Sequence, residues 1–531
     1  MNLGPKNSSV HSRASSSPPI DSDKCHHTLR FNLLVHRDDL HRLSCSFPCR
    51  TVEGMSDALV RAPQNSKTAR DEFLKAYGLH DFKHYLWEFA HSDLYKAVAY
   101  DCLHFFNGGI WGRHMWVLLK EYLQENELAS IFNDCMSRFP RWRNLKHLPS
   151  ATTIDYSDGQ TFLDILNLKG CRRLHSTASA LPCIVQLLPP KSSLVRLVRV
   201  MQKIRVMLGL DVTTSTRLEY LRKVIYEYEK ISKEISNEHG KSLDFLKQHF
   251  LSHAIRNFKL KGTSRNMNTR PGEGFQQEVS AMYKKTNGRN AEHQIAILDE
   301  NEETMARLDM QVETWRRNQE EDSDKLDLIP SANPNFSAHW TLGSPNSRVS
   351  PRRLEWTERH NPLFRNFGQR LREYLALQHP FQPVHPDEDI EIMPCKVLYI
   401  EYQSTVDWRS SRDILRCNPE FNNCSRYDSI IYSAADDPIT MGQLIMVFRC
   451  FLPRNVTLDL AMIKPYRNSS WQPKTRTDCP IREQNAGGVF IALEHLVRGA
   501  LLCPIFGALR EAFYVVDCID EDMFLRINGI D

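Results

Sequence analysis

The apolar residues of this chain change their period once. From about residue 69 to about residue 327 they recur at helical spacing, and after about residue 385 they fall in short β-branched and aromatic runs separated by turn formers. Between these stretches lies a Pro/Ser/Asn-rich span, Ile329 to Pro351, which reads as the clearest domain boundary. The fold class expected is α+β, with a helical region followed by a separate, mainly antiparallel β-rich carboxy-terminal domain. The expected division is a disordered tail over 1–68, a mostly helical region over 69–327, a linker with a short helix over 328–384, and the β-rich domain over 385–531.

Within the helical region, Phe73, Leu74 and Tyr77, then Tyr85, Leu86 and Phe89, then Met115, Leu118, Leu119 and Tyr122 keep helical spacing, and Gly108-Gly109 reads as a break. Leu194, Leu197, Val198, Met201, Ile204 and Leu208 trace one face of a later helix. Leu218, Leu221, Ile225, Tyr228, Ile231 and Ile235 trace another, opened by a capping box at Thr216-x-x-Glu219. A third runs from Leu243 to Phe258. Thr152 to Tyr156 reads as a strand or hairpin, and Ala291 to Trp315 as a helix entering an acid-rich, solvated run from Asp299 to Asp324. In the second half, Lys396–Tyr402, Ser429–Ser433, Gln443–Leu452, Thr457–Ile463, Val489–Leu493 and Ala512–Val516 read as strands.

The 531 residues are too many for one ordinary core, and 41% hydrophobic residues can fill two or three. A formal charge of only +4, from 68 basic and 64 acidic residues, gives weak grounds for a polyanion partner at the level of the whole chain. The fourteen cysteines contain no C-x-x-C pair and no secretory signal precedes them, so reduced thiols in an intracellular protein are expected. The most lipid-like stretch, Val489 to Leu509, carries Glu494, His495 and Arg498, so no membrane association is expected. Nucleotide, zincin and α/β-hydrolase motifs are all missing, and no small-molecule cofactor is expected.

Three local patterns bear chemistry. Asp101 and His104 stand one helical turn apart, close enough to share a metal or for the carboxylate to fix the imidazole tautomer. Arg256, Lys259, Lys261, Arg265 and Arg270 place five cations in fifteen residues with no acid among them, beside Asn266 and Asn268 as amide donors. Glu273 follows directly. Arg141, Arg143 and Lys146 form a second basic group around Trp142. His41, Cys45 and Cys49 have a spacing that could place ligands on a helix, but no fourth ligand is evident and Pro48 interrupts; Cys171, His175 and Cys183 read as ordinary thiols and imidazole. No metal site is assigned.

In order along the chain, H-S-D-L-Y-K-A-V-A-Y-D-C-L-H-F-F-N-G-G-I-W-G-R-H-M-W, R-F-P-R-W-R-N-L-K-H and G-T-S-R-N-M-N-T-R-P-G-E resemble the rear half of a Plavaka-type transposase of the Kyakuja-Dileera-Zisupton superfamily of fungal DNA transposons. W-R-S-S-R-D-I-L-R-C-N-P-E-F, R-Y-D-S-I-I and the ending D-E-D-M-F-L-R-I extend the resemblance over roughly residues 70 to 531. It implies an RNase H-like core with three acidic metal ligands, split by a helical insertion before the last acid. Asp101 and His104 match the family's D-x-x-H element and Glu273 its third acid. The helices from Leu194 to Phe258 match the insertion.

Two-metal phosphoryl transfer needs clustered carboxylates around a pair of ions about 4 Å apart. The family's first two acids lie well upstream of D-x-x-H, whereas only about 100 residues precede Asp101 here, and Asp38 and Asp39 are poor substitutes. Beside Glu273 the family continues with His-Gly, and this chain has Phe275, Gln276 and Gln277. The resemblance therefore implies a truncated transposase, with a partial RNase H-like core, that has lost strand transfer and keeps DNA contact, with nuclear residence. Two competing expectations stand beside it: an active Mg2+-dependent nuclease recruiting Asp155 or Asp158 as a further acid, and a protein-interaction module in the β-rich domain.

Overall fold

The computed structural model describes residues 37–89, 93–142, 150–153, 180–189, 191–320, 328–329, 338–378, 388–421, 424–434, 437–469, 479–505 and 511–530, with 35, 91 and 385. The chain divides into two compact units, one of 1–98 with Asp244–Leu246 and one of 99–243 with Lys247–Asp531.

In the first unit, Thr51 caps the helix Val52–Arg61 by accepting from Gly54 N–H at 3.0 Å, and Ser66 caps Lys67–Ala76 by accepting from Ala69 N–H at 3.3 Å. Met55, Ala58 and Leu74 from these helices are buried, as are Leu40 and Leu43. Arg70 ties the helices together, donating to the carbonyls of Ala62 at 3.0 Å and Leu59 at 3.3 Å while pairing with Asp81 at 2.7 Å. The expectation of a disordered tail is thus corrected for residues 37–68. Two short capped helices with only one or two buried residues each leave a weak periodic signal, and their order comes from packing.

The second unit opens on a π-helix, Cys102–Met115, that runs directly into the α-helix Trp116–Glu125. Gly108 and Gly109 do not break it. A Cβ on Gly109 would lie 2.5 Å from Lys247 Cδ and 2.7 Å from the His104 carbonyl oxygen, so this glycine permits a close crossing rather than a turn. Ser193–Gly209 and Ser215–His239 follow, the second capped by Thr214, which accepts from Arg217 N–H at 3.2 Å, two residues before the expected cap at Thr216. The expected third helix is three pieces: Leu246–Phe250, a 3-10 turn Leu251–His253, and Ala254–Lys261. Thr152 sits in a 3-10 turn, Ala151–Thr153, and residues 154–156 of the expected strand or hairpin lie outside the described residues. Among the described residues of 99–327 there is no strand.

From Leu328 onward the described residues build a sheet of thirteen strands, all paired antiparallel, with the path Leu328–Ile329, Trp340–Pro345, Glu391–Gln403, Asp437–Leu452, Val456–Asn468, Ile481–Gln484, Ala512–Val515, Leu502–Pro504. Each of the six expected runs forms a strand. Ser410–Phe421, Cys424–Tyr427, Ser429–Ala434, Val489–Ala492 and Leu496–Ala500 pair off this path. One face is covered by the helix Phe367–Gln378, whose Phe367, Leu371 and Leu375 recur every four residues and pack with Ile392, Phe448, Leu460 and Met462.

Sheet and helices of this unit share buried polar contacts, which corrects the expectation of a linker over 328–384 and a separate β domain. Trp340–Pro345, inside the expected linker, is a strand of the sheet. Arg199 on the Ser193–Gly209 helix makes a two-pronged pair with Asp517 at 2.7 and 2.8 Å, both side chains buried. Arg217 donates to the carbonyls of Val406 at 2.9 Å and Thr405 at 2.6 Å, and the Tyr220 ring meets Phe524 edge-on at 6.0 Å. Such buried charges require their partner within the same core.

Candidate functional site

Asp101 precedes the π-helix as its cap, with Oδ1 accepting from Leu103 N–H at 3.0 Å. Its Oδ2 faces His104 Nδ1 and also accepts from Thr269 Oγ1 at 2.8 Å, while Thr269 Oγ1 lies 3.1 Å from His104 Nδ1. A carboxylate can only accept, so Nδ1 carries the proton toward Asp101 and Nε2 is the basic nitrogen of the ring. Asp101 is buried and His104 is half-exposed. Thr269 immediately precedes the helix Arg270–Tyr283, which carries Glu273.

The structure therefore brings together Asp101, His104 and the start of the Glu273 helix, across 168 residues of sequence. The side chains of Glu273 and Arg270 lie outside what is described, as do Arg143, Lys146, Asp155, Asp158, Cys171 and His175. Arg256, Lys259 and Lys261 sit on Ala254–Lys261 and Arg265 on the 3-10 turn Ser264–Met267; Lys259 and Arg265 are exposed, Arg256 and Lys261 half-buried. Asn266 donates its amide to the Lys261 carbonyl at 2.9 Å, locking the turn at Gly262, where φ is +84°. That bond uses one of the two donors of its amide. Arg141 is exposed, but Trp142 beside it is buried near Gly499, where an added Cβ would lie 2.8 Å from the indole.

Two groups near the site were not singled out from sequence. Lys247 donates its ammonium to the His104 carbonyl at 3.0 Å. Burial, then the Arg113 guanidinium, hold its pKa below the usual lysine range, with Asp101 opposing. Burial and the cations Lys241, Lys247 and Arg113 bring His114 down to about 4, so it is neutral near pH 7. No spacing rule connects Lys247 with His104, because 143 positions separate them.

Two residues of the other metal-like patterns meet protein partners. His41 Nδ1 pairs with Asp244 at 2.7 Å, and Asp39 pairs with Arg42 at 2.9 Å. Among the described residues no group of three or more His, Cys, Asp or Glu side chains is placed to hold a metal ion. Among them too, no helix is long and apolar enough to cross a membrane. The described cysteines are free thiols, most of them buried. No family model matches this chain, and neither a curated protein nor a solved structure matches it.

Proposed function

We propose that this protein is a transposase-type DNA-contacting protein whose strand-transfer chemistry has lapsed. The observation that carries the proposal is the meeting at Thr269: the D-x-x-H pair and the helix bearing Glu273, the two segments that resemble the family's site, are joined by the Thr269 hydroxyl. The finer reading of the helical region as a partial RNase H-like core, with Ser193–Lys261 as its insertion, belongs to the same proposal. It is supported by the order of elements.

The loss of chemistry is argued from Asp101. Both of its oxygens already accept hydrogen bonds, from Leu103, Thr269 and His104, which makes it a partner that orients the imidazole rather than a bridge between two ions. Contact with DNA would come through the exposed Lys259 and Arg265, with Arg256 and Lys261 beside them. Its working place would then be the nucleus. An active form would need Mg2+ held by Glu273 and further carboxylates.

The test uses the full chain with labelled duplex and supercoiled plasmid in Mg2+. Retention that weakens with salt, without nicking or joining, is expected. Lys259→Gln with Arg265→Gln should lower the log–log salt slope by about 1.8, near 0.9 per phosphate contact. Mg2+-dependent nicking abolished by Glu273→Gln would replace the proposal with an active nuclease. A flat salt response would leave a protein-binding role for the sheet.

A further inference from the structure

We infer that the face of the π-helix crossed by Lys247 is a seat for a DNA phosphate backbone, formed by Arg113, Lys241 and Lys247 and leading to His104. The inference rests on the DNA-contact reading above and adds to it a surface distinct from the Ala254–Met267 segment.

The geometry starts from Gly109. Because it lacks a Cβ, the Lys247 stem lies directly against the helix, with Cδ 2.5 Å from where that Cβ would be. The ammonium is fixed there by the His104 carbonyl at 3.0 Å, which uses one of its three donors. Arg113 is exposed and stands four residues beyond Gly109, about one π-helical turn further along the same side. Lys241 lies two residues past the end of the Ser215–His239 helix. That end is placed beside the continuation of the π-helix by the His239 ring, 6.1 Å edge-on from Tyr122.

Among the described residues, no carboxylate is within ion-pair distance of Arg113, Lys241 or Lys247. The nearby acid is Asp101, and its oxygens are already engaged by Leu103, His104 and Thr269. All three cations bear on His114 and Arg113 bears on Lys247, and the basicity of both groups is lowered by burial first and then by these charges. A strand of regularly spaced phosphates offsets them, with release of counterions.

The experiment measures fluorescence anisotropy of a labelled duplex against the full chain from about 50 to 200 mM salt. Arg113→Gln, Lys241→Gln and Lys247→Met are combined, the methionine keeping an unbranched stem over Gly109, and thermal melting checks that the fold is retained. The expected result is a slope lower by about 2.7, at 0.9 per contact, and a loss of affinity of at least about tenfold at the upper salt. If melting shows the triple variant unfolded, Arg113→Gln with Lys241→Gln, which leave the Lys247 stem over Gly109 in place, should lower the slope by about 1.8. Unchanged slope and affinity in a folded variant, with Lys259→Gln and Arg265→Gln still effective, would overturn the seat and leave DNA contact standing. A wild-type chain without salt-dependent retention would overturn DNA contact itself, and the seat with it.

Discussion

The cations of the sheet and those around the π-helix use the same charge in opposite ways. Arg498 is fully buried and reaches Asp520 at 2.6 Å, Asp522 at 2.5 Å and Asp413 at 3.6 Å, and Arg449 grips Asp459 at 2.7 and 3.0 Å. Around the π-helix, Arg113, Lys241 and Lys247 have no carboxylate within ion-pair distance among the described residues. A cation taken out of water must bring its anion from the chain, and that demand specifies a core geometry. A cation left in water at low cost can take its anion from outside. The first kind of site holds helices and sheet together, and the second is where a polyanion is expected.

The largest effect that probes this contrast should come from the sheet. Arg498→Met leaves three carboxylates around a charge that is gone, and urea unfolding should show a loss of about 3–5 kcal/mol. A loss below about 1 kcal/mol would mean that the cluster is solvated and the contrast false. In the same way, Asp517→Leu alone should cost more than Asp517→Leu combined with Arg199→Met, since the double change removes both buried charges.

Next in size is a pH effect in the helical part. Burial, then the neighbouring His249 and Arg256, bring His253 from 6.5 down to about 3. The unfolded chain takes up this proton as pH falls through 6.5, and the folded chain does not until about 3. Stability should therefore be full above 6.5 and fall below it by about 1.4 kcal/mol per pH unit for that one proton. Asp522 is held low against its own burial by Arg498 and Arg526, so its contribution is present above the ordinary 3.8 and is lost at still lower pH. His253→Phe should flatten the melting profile between about pH 6.5 and 4 by one proton, and an unchanged profile would contradict the assignment.

The smallest effect concerns the meeting point of the site. Thr269→Val removes one hydroxyl bond to Asp101 while keeping the side-chain shape, for an expected loss of about 1 kcal/mol. The informative readout is hydrogen exchange at the start of Arg270–Tyr283, which should quicken. No change there would mean that the Glu273 helix is positioned without Thr269.

Much of the sheet was legible because runs such as Lys396–Tyr402 and Thr457–Ile463 are β-branched and apolar. Ser410–Phe421 was not, because its Arg412, Asp413, Arg416 and Asn418 read as loop. It is a strand because Glu391–Gln403 offers seven residues of register to it, Val397 to Gln403 against Arg416 to Ser410. Its Asp413 is buried and accepts from the Gly499 N–H at 2.9 Å. The same kind of override removed the expected break at Gly108-Gly109. Of the candidate site, the Asp101–His104 pair followed from spacing alone, since three residues make one turn and a cap. Lys247 and Thr269 did not, being more than 120 positions away from the π-helix they meet, and neither did Lys241, whose charge acts on His114.

The sequence by itself determined where helices give way to strands, that Asp101 and His104 share a turn, and that a basic run precedes Glu273. All three are local properties of side-chain type and period. Only the tertiary structure decided that helices and sheet share one core, that Gly109 admits a lysine, and that the two separated segments meet at a threonine. Those outcomes depend on which distant groups satisfy a buried charge or hydrogen bond, and no periodicity along a chain encodes that choice.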